Sequence, residues 1–239
     1  MTMAKMPDIR PHTTRKARVL IVEDKPIVRE KLEELISSQA DLICCGETDN
    51  PRSAFELIAA TKPNLVLASL TLQESHGLEF IKDLRLRYPG VPVLIFSMFD
   101  ESLYAERAMR AGANGFVSKY GATNELLCAI RRVLEGGIYL SERVTAHAMQ
   151  QFFTRRPLAP RSEADRLSDR ELEIFELIGQ GRSSRQIATA LHISVKTIET
   201  YRSRIKTKLK LNTATELAQH AWEFLQHATS RRARKHQAV

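Results

Sequence analysis

Short runs of apolar residues alternate with amphipathic stretches over the first half of the chain. Five runs rich in Val, Ile and Leu fall at Val19–Val22, Leu42–Cys45, Leu65–Leu70, Val91–Phe96 and Gly115–Val117. Continuous apolar runs of this length are typical of strands buried on both faces of a sheet. Between them apolar residues recur every three or four positions, which predicts helices. The alternation predicts a doubly wound α/β domain, in which helices cover both faces of a five-stranded parallel sheet.

The pattern becomes entirely helical in the last part of the chain. Gly136 and Gly137 end the fifth helix of the α/β domain, and residues 142–153 predict one further amphipathic helix. Ser168 with Glu171 three residues later has the spacing of a capping box, which predicts the start of a helix. Three more predicted helices follow, so we expect an all-α domain of four helices.

Charge divides the chain in the same way. The 36 Lys and Arg against 28 Asp and Glu give a net charge of +8, with −3 over residues 18–140 and +8 over residues 141–239. An acidic domain followed by a basic one is typical of a regulatory module joined to a module that binds a polyanion. The expected organisation is a disordered basic arm at 1–17, the α/β domain at 18–140, a helix and linker at 141–166, the helical domain at 167–227 and a basic tail at 228–239.

Composition excludes several classes of protein. No apolar stretch reaches the ~18–20 residues of a membrane span, and the first residues lack the apolar core of a signal peptide. Cys44, Cys45 and Cys128 lie in apolar runs and show neither metal-ligand spacing nor a disulfide framework. We therefore expect small buried thiols, a reducing cytoplasmic location and no membrane partner.

Polar side chains follow three of the predicted strands at the points where they end. Glu23 and Asp24 come directly after the first strand, Ser97 after the fourth and Lys119 after the fifth. The carboxyl ends of parallel strands meet at one edge of a sheet, where ligands bind. Carboxylates suit Mg²⁺, whereas a hydroxyl and an ammonium suit a phosphoryl group. The residues alone also allow a second interpretation, in which two solvated loop acids are paired by the lysine.

Longer segments around these positions resemble a known family. The α/β domain is similar to the flavodoxin-like receiver domain of bacterial response regulators, and residues 167–222 resemble a LuxR-type helix-turn-helix. The receiver segments are VLIVEDKPIVRE, PNLVLASLTLQESHGLEFI, VPVLIFSMFDE and AGANGFVSKYGATNELLCAI, and the helix-turn-helix segment is LSDRELEIFELIGQGRSSRQIATALHISVKTIETYRSRIKTKL. Together they resemble the NarL/FixJ class of transcriptional regulators. This resemblance implies a two-component regulator rather than an enzyme, with double-stranded promoter DNA as its partner.

The resemblance also assigns roles to the residues at the strand ends. It implies that an acid pair helps to hold Mg²⁺, that a hydroxyl residue binds the phosphoryl group, and that an aromatic switch and a lysine complete the pocket. In this chain these positions hold Glu23 and Asp24, Ser97, Phe116 and Lys119, respectively.

The phosphoacceptor aspartate of a receiver is expected at the end of the third strand, where this chain has Ser69. No Asp occurs between Asp49 and Asp83, so a shift of register cannot supply one. A serine hydroxyl needs a base to become nucleophilic, and the missing carboxylate weakens the expected Mg²⁺ site. We therefore expect a pseudo-receiver with no cofactor, or with weakly bound Mg²⁺, that is controlled by dimerisation, a protein partner or a small ligand. The alternatives are a phosphorelay through another acceptor and a receiver that acts mainly as a protein-interaction module.

The third helix of the helical domain divides into an apolar face and a polar, basic face. Ile198, Ile205 and Leu209 share the apolar face and are expected to pack on the preceding helices. In a helix-turn-helix the second helix of the motif enters the major groove. By resemblance, the base-edge candidates are Glu199, Thr200 and Ser203, the phosphate contacts are Lys196, Thr197 and Arg204, and Lys208 is a further DNA-binding candidate.

Specific DNA binding by this class usually requires two copies on a two-fold site, so we expect a homodimer. The final predicted helix, around Leu217–Leu225, resembles the dimer-forming element of the family. The fourth helix, fifth strand and fifth helix of the receiver are further candidate contacts. For Trp222, core and interface positions both remain open.

Overall fold

The computed structural model describes residues 16–72, 75–154, 166–191 and 193–236. The predicted arm and linker therefore lie mostly outside the described residues, at 1–15 and 155–165. No helix in the part of the chain that the structure describes is long and apolar enough to cross a membrane.

Five parallel strands form the central sheet, as the apolar runs predict. The strands in chain order are β1 (Ala17–Val22), β2 (Leu42–Thr48), β3 (Leu65–Ala68), β4 (Thr71–Leu72), β5 (Ser75–His76), β6 (Val93–Ser97) and β7 (Gly115–Ser118). The order across the sheet is β2-β1-β3-β6-β7, with every neighbouring pair parallel. The short antiparallel pair β4–β5, which no sequence signal predicts, follows β3 directly.

Helices connect these strands and then form a separate helical domain. They are α1 (Pro26–Ser37), α2 (Pro51–Thr61), α3 (Gly77–Arg87), α4 (Glu101–Ala111), α5 (Thr123–Leu134), α6 (Glu142–Thr154), α7 (Asp169–Gly179), α8 (Ser184–Ala190), α9 (Val195–Leu209) and α10 (Ala214–His236). The predicted capping box is present at the start of α7: the Ser168 side chain accepts the Glu171 N–H, and the Glu171 side chain accepts the Ser168 N–H. The fold class is therefore the predicted one.

Three element boundaries differ from the prediction for identifiable reasons. The run at 65–70 is strand only as far as Ala68, because the chain turns at Leu70, whose carbonyl accepts the Gly77 N–H at 2.9 Å. Strand β6 begins after Pro92, which has no N–H to donate to the ladder. Helix α10 continues to His236 instead of ending near residue 227, since the added segment contains Arg, Ala and Lys but no Gly or Pro.

The core lies on both faces of the sheet because alternate strand residues point in opposite directions. On β1, Val19 and Ile21 pack with α1 and α5, whereas Leu20 and Val22 pack with α2, α3 and α4. The cluster that contains Leu20 and Val22 also includes buried residues of the helical domain, among them Phe175 of α7. Apolar contacts therefore cross the boundary between the two domains.

The three cysteines are more accessible than expected. Cys44 and Cys45 are half-buried on β2, and Cys128 is exposed. Cys128 was expected to be buried because it lies in an apolar run, but it falls outside the stripe of α5 that faces the sheet, Leu127 and Ile130 being buried on either side of it. The prediction of buried thiols is therefore wrong for this residue.

Gly77 allows α3 to begin directly against the chain that leaves β3. A Cβ added at Gly77 would lie 2.5 Å from the Leu70 Cα and 2.6 Å from the Ser69 carbonyl oxygen. Both atoms belong to the backbone, so neither can rotate away. The close approach fixes the position of Ser69 at the edge of the sheet.

We expect Gly77→Ala to lower the free energy of unfolding by about 1–3 kcal/mol, because the added methyl overpacks the backbone on which Ser69 lies. Urea denaturation followed by circular dichroism measures the change. Gly90→Ala is the matched control, since a Cβ there meets nothing within 4 Å. Equal stability of the two variants would contradict the packing role of Gly77.

Candidate functional site

The carboxyl edge of the sheet holds a buried ion pair. Glu23 follows β1 and Lys119 follows β7, and the Lys119 Nζ donates to the Glu23 Oε2 at 2.5 Å. The side chains are 1% and 8% exposed, respectively. The other carboxylate oxygen of Glu23, Oε1, accepts the Lys25 N–H at 3.1 Å. Both carboxylate oxygens therefore have donors within the protein.

A chain of hydrogen bonds leads from the same lysine through two hydroxyls to the second acid. Lys119 Nζ donates to Ser69 Oγ at 3.2 Å, and Ser69 Oγ lies 3.0 Å from Thr71 Oγ1. The Thr71 hydroxyl in turn donates to Asp24 Oδ1 at 3.2 Å, so Ser69 is the donor to Thr71. The remaining oxygen of Asp24 pairs with Lys25 Nζ at 2.9 Å. Every member of this chain has a partner, which stabilises buried polar groups.

Burial and a neighbouring charge have opposite effects on the pKa of Glu23. Loss of contact with water raises the pKa of its carboxyl above the ordinary value, although the Lys119 ammonium opposes that change. The same ammonium lies 5.6 Å from the centre of the Phe96 ring, which gives it a further favourable contact.

Ser97 lies beside the ion pair and is buried. The Ser97 carbonyl accepts the Lys119 N–H at 2.8 Å, and its hydroxyl accepts the Phe99 N–H at 3.1 Å. Phe116 is completely buried on β7. The structure thus brings together Glu23, Asp24, Ser97 and Lys119, the residues predicted from the strand ends, and adds Ser69 to them, whereas Phe116 packs in the apolar core. Their proposed roles in phosphoryl and metal binding stay predictions.

Sequence reasoning missed two members of the site, Thr71 and Lys25. Thr71 bridges Ser69 and Asp24, and Lys25 neutralises Asp24. The position of Lys25 next to the acid pair could have indicated that it pairs with Asp24. The sequence gives no such indication for Thr71, because its contacts with Ser69 and Asp24 depend on the turn into β4.

The side chains of this site are poor ligands for Mg²⁺. Mg²⁺ prefers oxygen ligands, carboxylates above all, but each of the two acids here already has a lysine ammonium on one oxygen. A neutral hydroxyl, that of Ser69, lies beside them. Within the described residues, no group of three or more His, Cys, Asp or Glu side chains could hold a metal ion.

Helix α9 presents the polar face that the sequence predicts. Ile198, Ile205 and Leu209 are buried against the neighbouring helices, which confirms the assignment of the apolar face. The predicted DNA-binding residues are all exposed on this helix: Lys196, Thr197, Glu199, Thr200, Ser203, Arg204 and Lys208. The side chain of Ser194 accepts the Thr197 N–H at 3.0 Å and so begins the helix where expected.

Lys208 differs from the other exposed residues because it is engaged within the protein. Its Nζ donates to Glu171 Oε2 at 2.5 Å, and Glu171 is buried in the capping box of α7. Burial alone would raise the pKa of Glu171, but the hydrogen bonds from Lys208 and the Ser168 N–H hold it below the ordinary value. Lys208 thus anchors the end of α9 to the start of α7.

A basic patch on the first helix of the motif was not predicted. Arg182 and Arg185 are exposed and line an open cavity of about 490 Å³ with Gln186 and Thr189. Ile187 of α8, which lies between Gln186 and Thr189, is buried. The signal was available in the sequence as two arginines flanking the capping residue of α8.

Comparison with known proteins agrees with this geometry. Residues 19–131 match the response regulator receiver domain, and residues 165–221 match the bacterial regulatory proteins of the luxR family. The oxygen regulatory protein NreC of Staphylococcus aureus is 30% identical over 85% of this chain and 96% of its own length. The transcriptional regulatory protein DegU of Brevibacillus brevis is 27% identical over 84% and 91%, respectively.

Solved structures show the same arrangement of elements. A two-component response regulator of the LuxR family from Aurantimonas is 31% identical, with a TM-score of 0.54, over 58% of this chain and 99% of its own. Salmonella RcsB, at 18% identity, shares the fold with a TM-score of 0.65 over 87% of this chain and 98% of its own. The chain therefore belongs to the LuxR family of two-component response regulators, DNA-binding proteins in which a receiver domain precedes a helix-turn-helix.

We expect Lys208→Ala to lower the free energy of unfolding by about 1–2 kcal/mol, because the buried Glu171 carboxylate loses a donor while the half-exposed pair is partly screened by water. Thermal or urea denaturation measures the loss. Lys196→Ala, an exposed lysine at the other end of the same helix, should change stability by less than about 0.5 kcal/mol. Similar stability of the two variants would show that Lys208 has no structural role.

Proposed function

We propose that this chain is a transcriptional regulator, not an enzyme, whose receiver works without phosphorylation of an aspartate. In this proposal Ser69 occupies the phosphoacceptor position, and the protein acts on promoter DNA in the bacterial cytoplasm. The observation that carries the proposal is the hydrogen bond from Lys119 to the Ser69 hydroxyl at the end of β3.

The contacts of Ser69 support the proposal that this receiver works without phosphorylation. A serine hydroxyl becomes nucleophilic when a base takes its proton. Here the Ser69 hydroxyl donates to Thr71, and the nearest carboxylates, Glu23 and Asp24, are each paired with a lysine. Among the described residues, the hydrogen-bond partners of the Ser69 side chain are Lys119 and Thr71, and neither is a carboxylate or an imidazole that could take its proton. We infer that Mg²⁺ binding is weak or absent, because two acids rather than three line the pocket and each of them is already paired with a lysine ammonium.

The intact chain should gain no acid-labile mass of about 80 Da when it is incubated with acetyl phosphate and Mg²⁺. Intact-mass spectrometry checks this. Ser69→Asp is the positive control: it restores a carboxylate beside Lys119 and should accept the phosphoryl group. A labile adduct on the unchanged chain would overturn the proposal, and an adduct stable to mild base would indicate a serine phosphate instead.

We further propose that α9 reads the major groove while α8 contacts the backbone. Glu199, Thr200 and Ser203 are exposed on α9, and Glu and Thr suit cytosine N4 and the thymine methyl, respectively. The first helix of such a motif crosses the phosphate backbone, which suits the exposed arginines Arg182 and Arg185.

A homodimer completes this proposal. Trp222 on α10 is 53% exposed, so it is not a core residue, and a large exposed aromatic side chain is typical of an interface. One solved structure with the same fold, at 19% identity, contains two RcsB dimers bound to two parallel DNAs. Pairing through α10 would place two copies of α9 on one two-fold site.

Two substitutions on α9 should have different effects on binding to duplexes that the chain selects from a random pool. Lys196→Ala should weaken binding to every sequence and reduce the slope of log affinity against log salt concentration by about one unit, because it removes one phosphate contact.

Thr200→Ala should relax the preference at one base position, at a cost of about 1–3 kcal/mol of discrimination between bases. Binding assays at several salt concentrations separate the two, and an equal loss on all sequences would refute base reading by Thr200.

A further inference from the structure

Helix α4 of the receiver contacts the start of α7 through a charged junction. Arg107 Nη1 donates to Asp169 Oδ1 at 2.9 Å, and its Nη2 donates to the Leu167 carbonyl at 2.8 Å. Lys82 of α3 pairs with the other oxygen of Asp169 at 3.0 Å. Burial alone would raise the pKa of Asp169, but these two cations hold it below the ordinary value. The junction thus fixes the first turn of α7 against the receiver.

One turn earlier on α4, a buried hydrogen bond crosses the same boundary. The Tyr104 hydroxyl donates to Glu176 Oε2 at 3.1 Å, and both residues are buried. Burial, and then the charge of Glu176, raise the pKa of Tyr104 well above the ordinary value, so its hydroxyl keeps the proton that it donates. Phe99 stacks on the Tyr104 ring, with centroids 4.7 Å apart. A buried carboxylate is costly without donors, so separating the domains removes one that Glu176 uses.

These contacts leave the DNA-reading face uncovered. Within the described residues, the polar contacts given above reach Leu167, Asp169 and Glu176, which lie on α7 or just before it. Lys196, Thr200 and the other reading candidates of α9 are exposed in the full chain, with the receiver in place. The receiver therefore does not bury the side chains of this face.

The first turn of α7 also connects the junction to α9. Asp169 lies directly after the capping residue Ser168, and Glu171 of the same turn binds Lys208 near the end of α9. A movement of this turn relative to the receiver would carry the end of α9 with it. These directional contacts thus add to the apolar packing across the boundary in fixing the direction of the reading helix relative to the receiver.

We propose that Tyr104, Arg107, Asp169 and Glu176 form an interdomain clamp that holds the helical domain in a DNA-competent orientation. DNA binding then needs no release of the receiver, and in a dimer whose receivers pair as well as α10, the clamp restricts how far the two reading helices can turn relative to the receivers. The inference rests on the proposed function and adds to it a means of control: a partner or ligand that opens the clamp reduces binding.

The test compares the intact chain with Tyr104→Phe/Arg107→Ala on duplexes selected by the intact chain. The double variant should bind a two-half-site duplex about tenfold more weakly, because domains that are held less firmly in one orientation reach the second half-site less often. Its affinity for one half-site should stay within about twofold. Small-angle scattering should show a larger radius of gyration, since the released domains separate.

Two further variants keep the result interpretable. Asp169→Asn removes the ion pairs from the other side of the boundary without altering the core of α4 and should shift binding in the same direction. Arg110→Ala is the matched control on α4, because Arg110 is exposed and pairs only with Glu106 of its own helix among the ion pairs that the structure records. It should change neither property.

Three outcomes would overturn the clamp. Tighter DNA binding by the double variant would mean that the receiver inhibits the domain that it holds, and an unchanged radius would mean that the four residues do not hold the domains together. An expanded variant with unchanged affinity on two half-sites would separate the clamp from DNA binding. If the intact chain selects no duplex, the proposed DNA reading itself fails, and scattering alone then decides whether the clamp holds.

Discussion

A carboxylate that is removed from water must be given hydrogen-bond donors, and this constraint recurs wherever the elements of this protein meet. Glu23 receives the Lys119 ammonium, Glu171 receives Lys208, and Glu176 receives the Tyr104 hydroxyl. In each case the donor comes from an element distant in sequence. The apolar core brings the helices and strands together, but these directional bonds decide in which register and at what angle they remain.

The alternation of apolar runs and amphipathic stretches was sufficient to predict the parallel sheet and the order of its helices. The reason is that strands such as β1 are buried on both faces, which leaves a continuous apolar signal in the sequence. The capping box at Ser168 likewise marks a helix start by local chemistry alone. Boundaries that depend on a turn, such as the end of β3 at Ala68, have no comparable local signal.

The candidate site was predictable in its members but not in its connections. Because strand ends share an edge of the sheet, Glu23, Asp24, Ser97 and Lys119 could be placed together before any coordinates were known. The bridge through Thr71 and the contacts of Tyr104 could not be predicted in this way, because both depend on distances between segments that are far apart in the chain. The same holds for Lys208, whose spacing suggests a DNA contact and whose ammonium binds Glu171.

The pocket around Ser69 also has an electrostatic consequence at long range. Taken at their ordinary charges, Glu23 and Asp24 are balanced by Lys119 and Lys25, so the edge of the sheet is formally neutral. A pocket lined by unbalanced charge draws oppositely charged species from solution and raises their rate of encounter. A formally neutral pocket lacks this long-range attraction for ions of either sign. At this edge the charges and hydroxyls of the protein are paired with one another, and the contacts among Glu23, Lys119, Ser69 and Thr71 connect the ends of β1, β3 and β7.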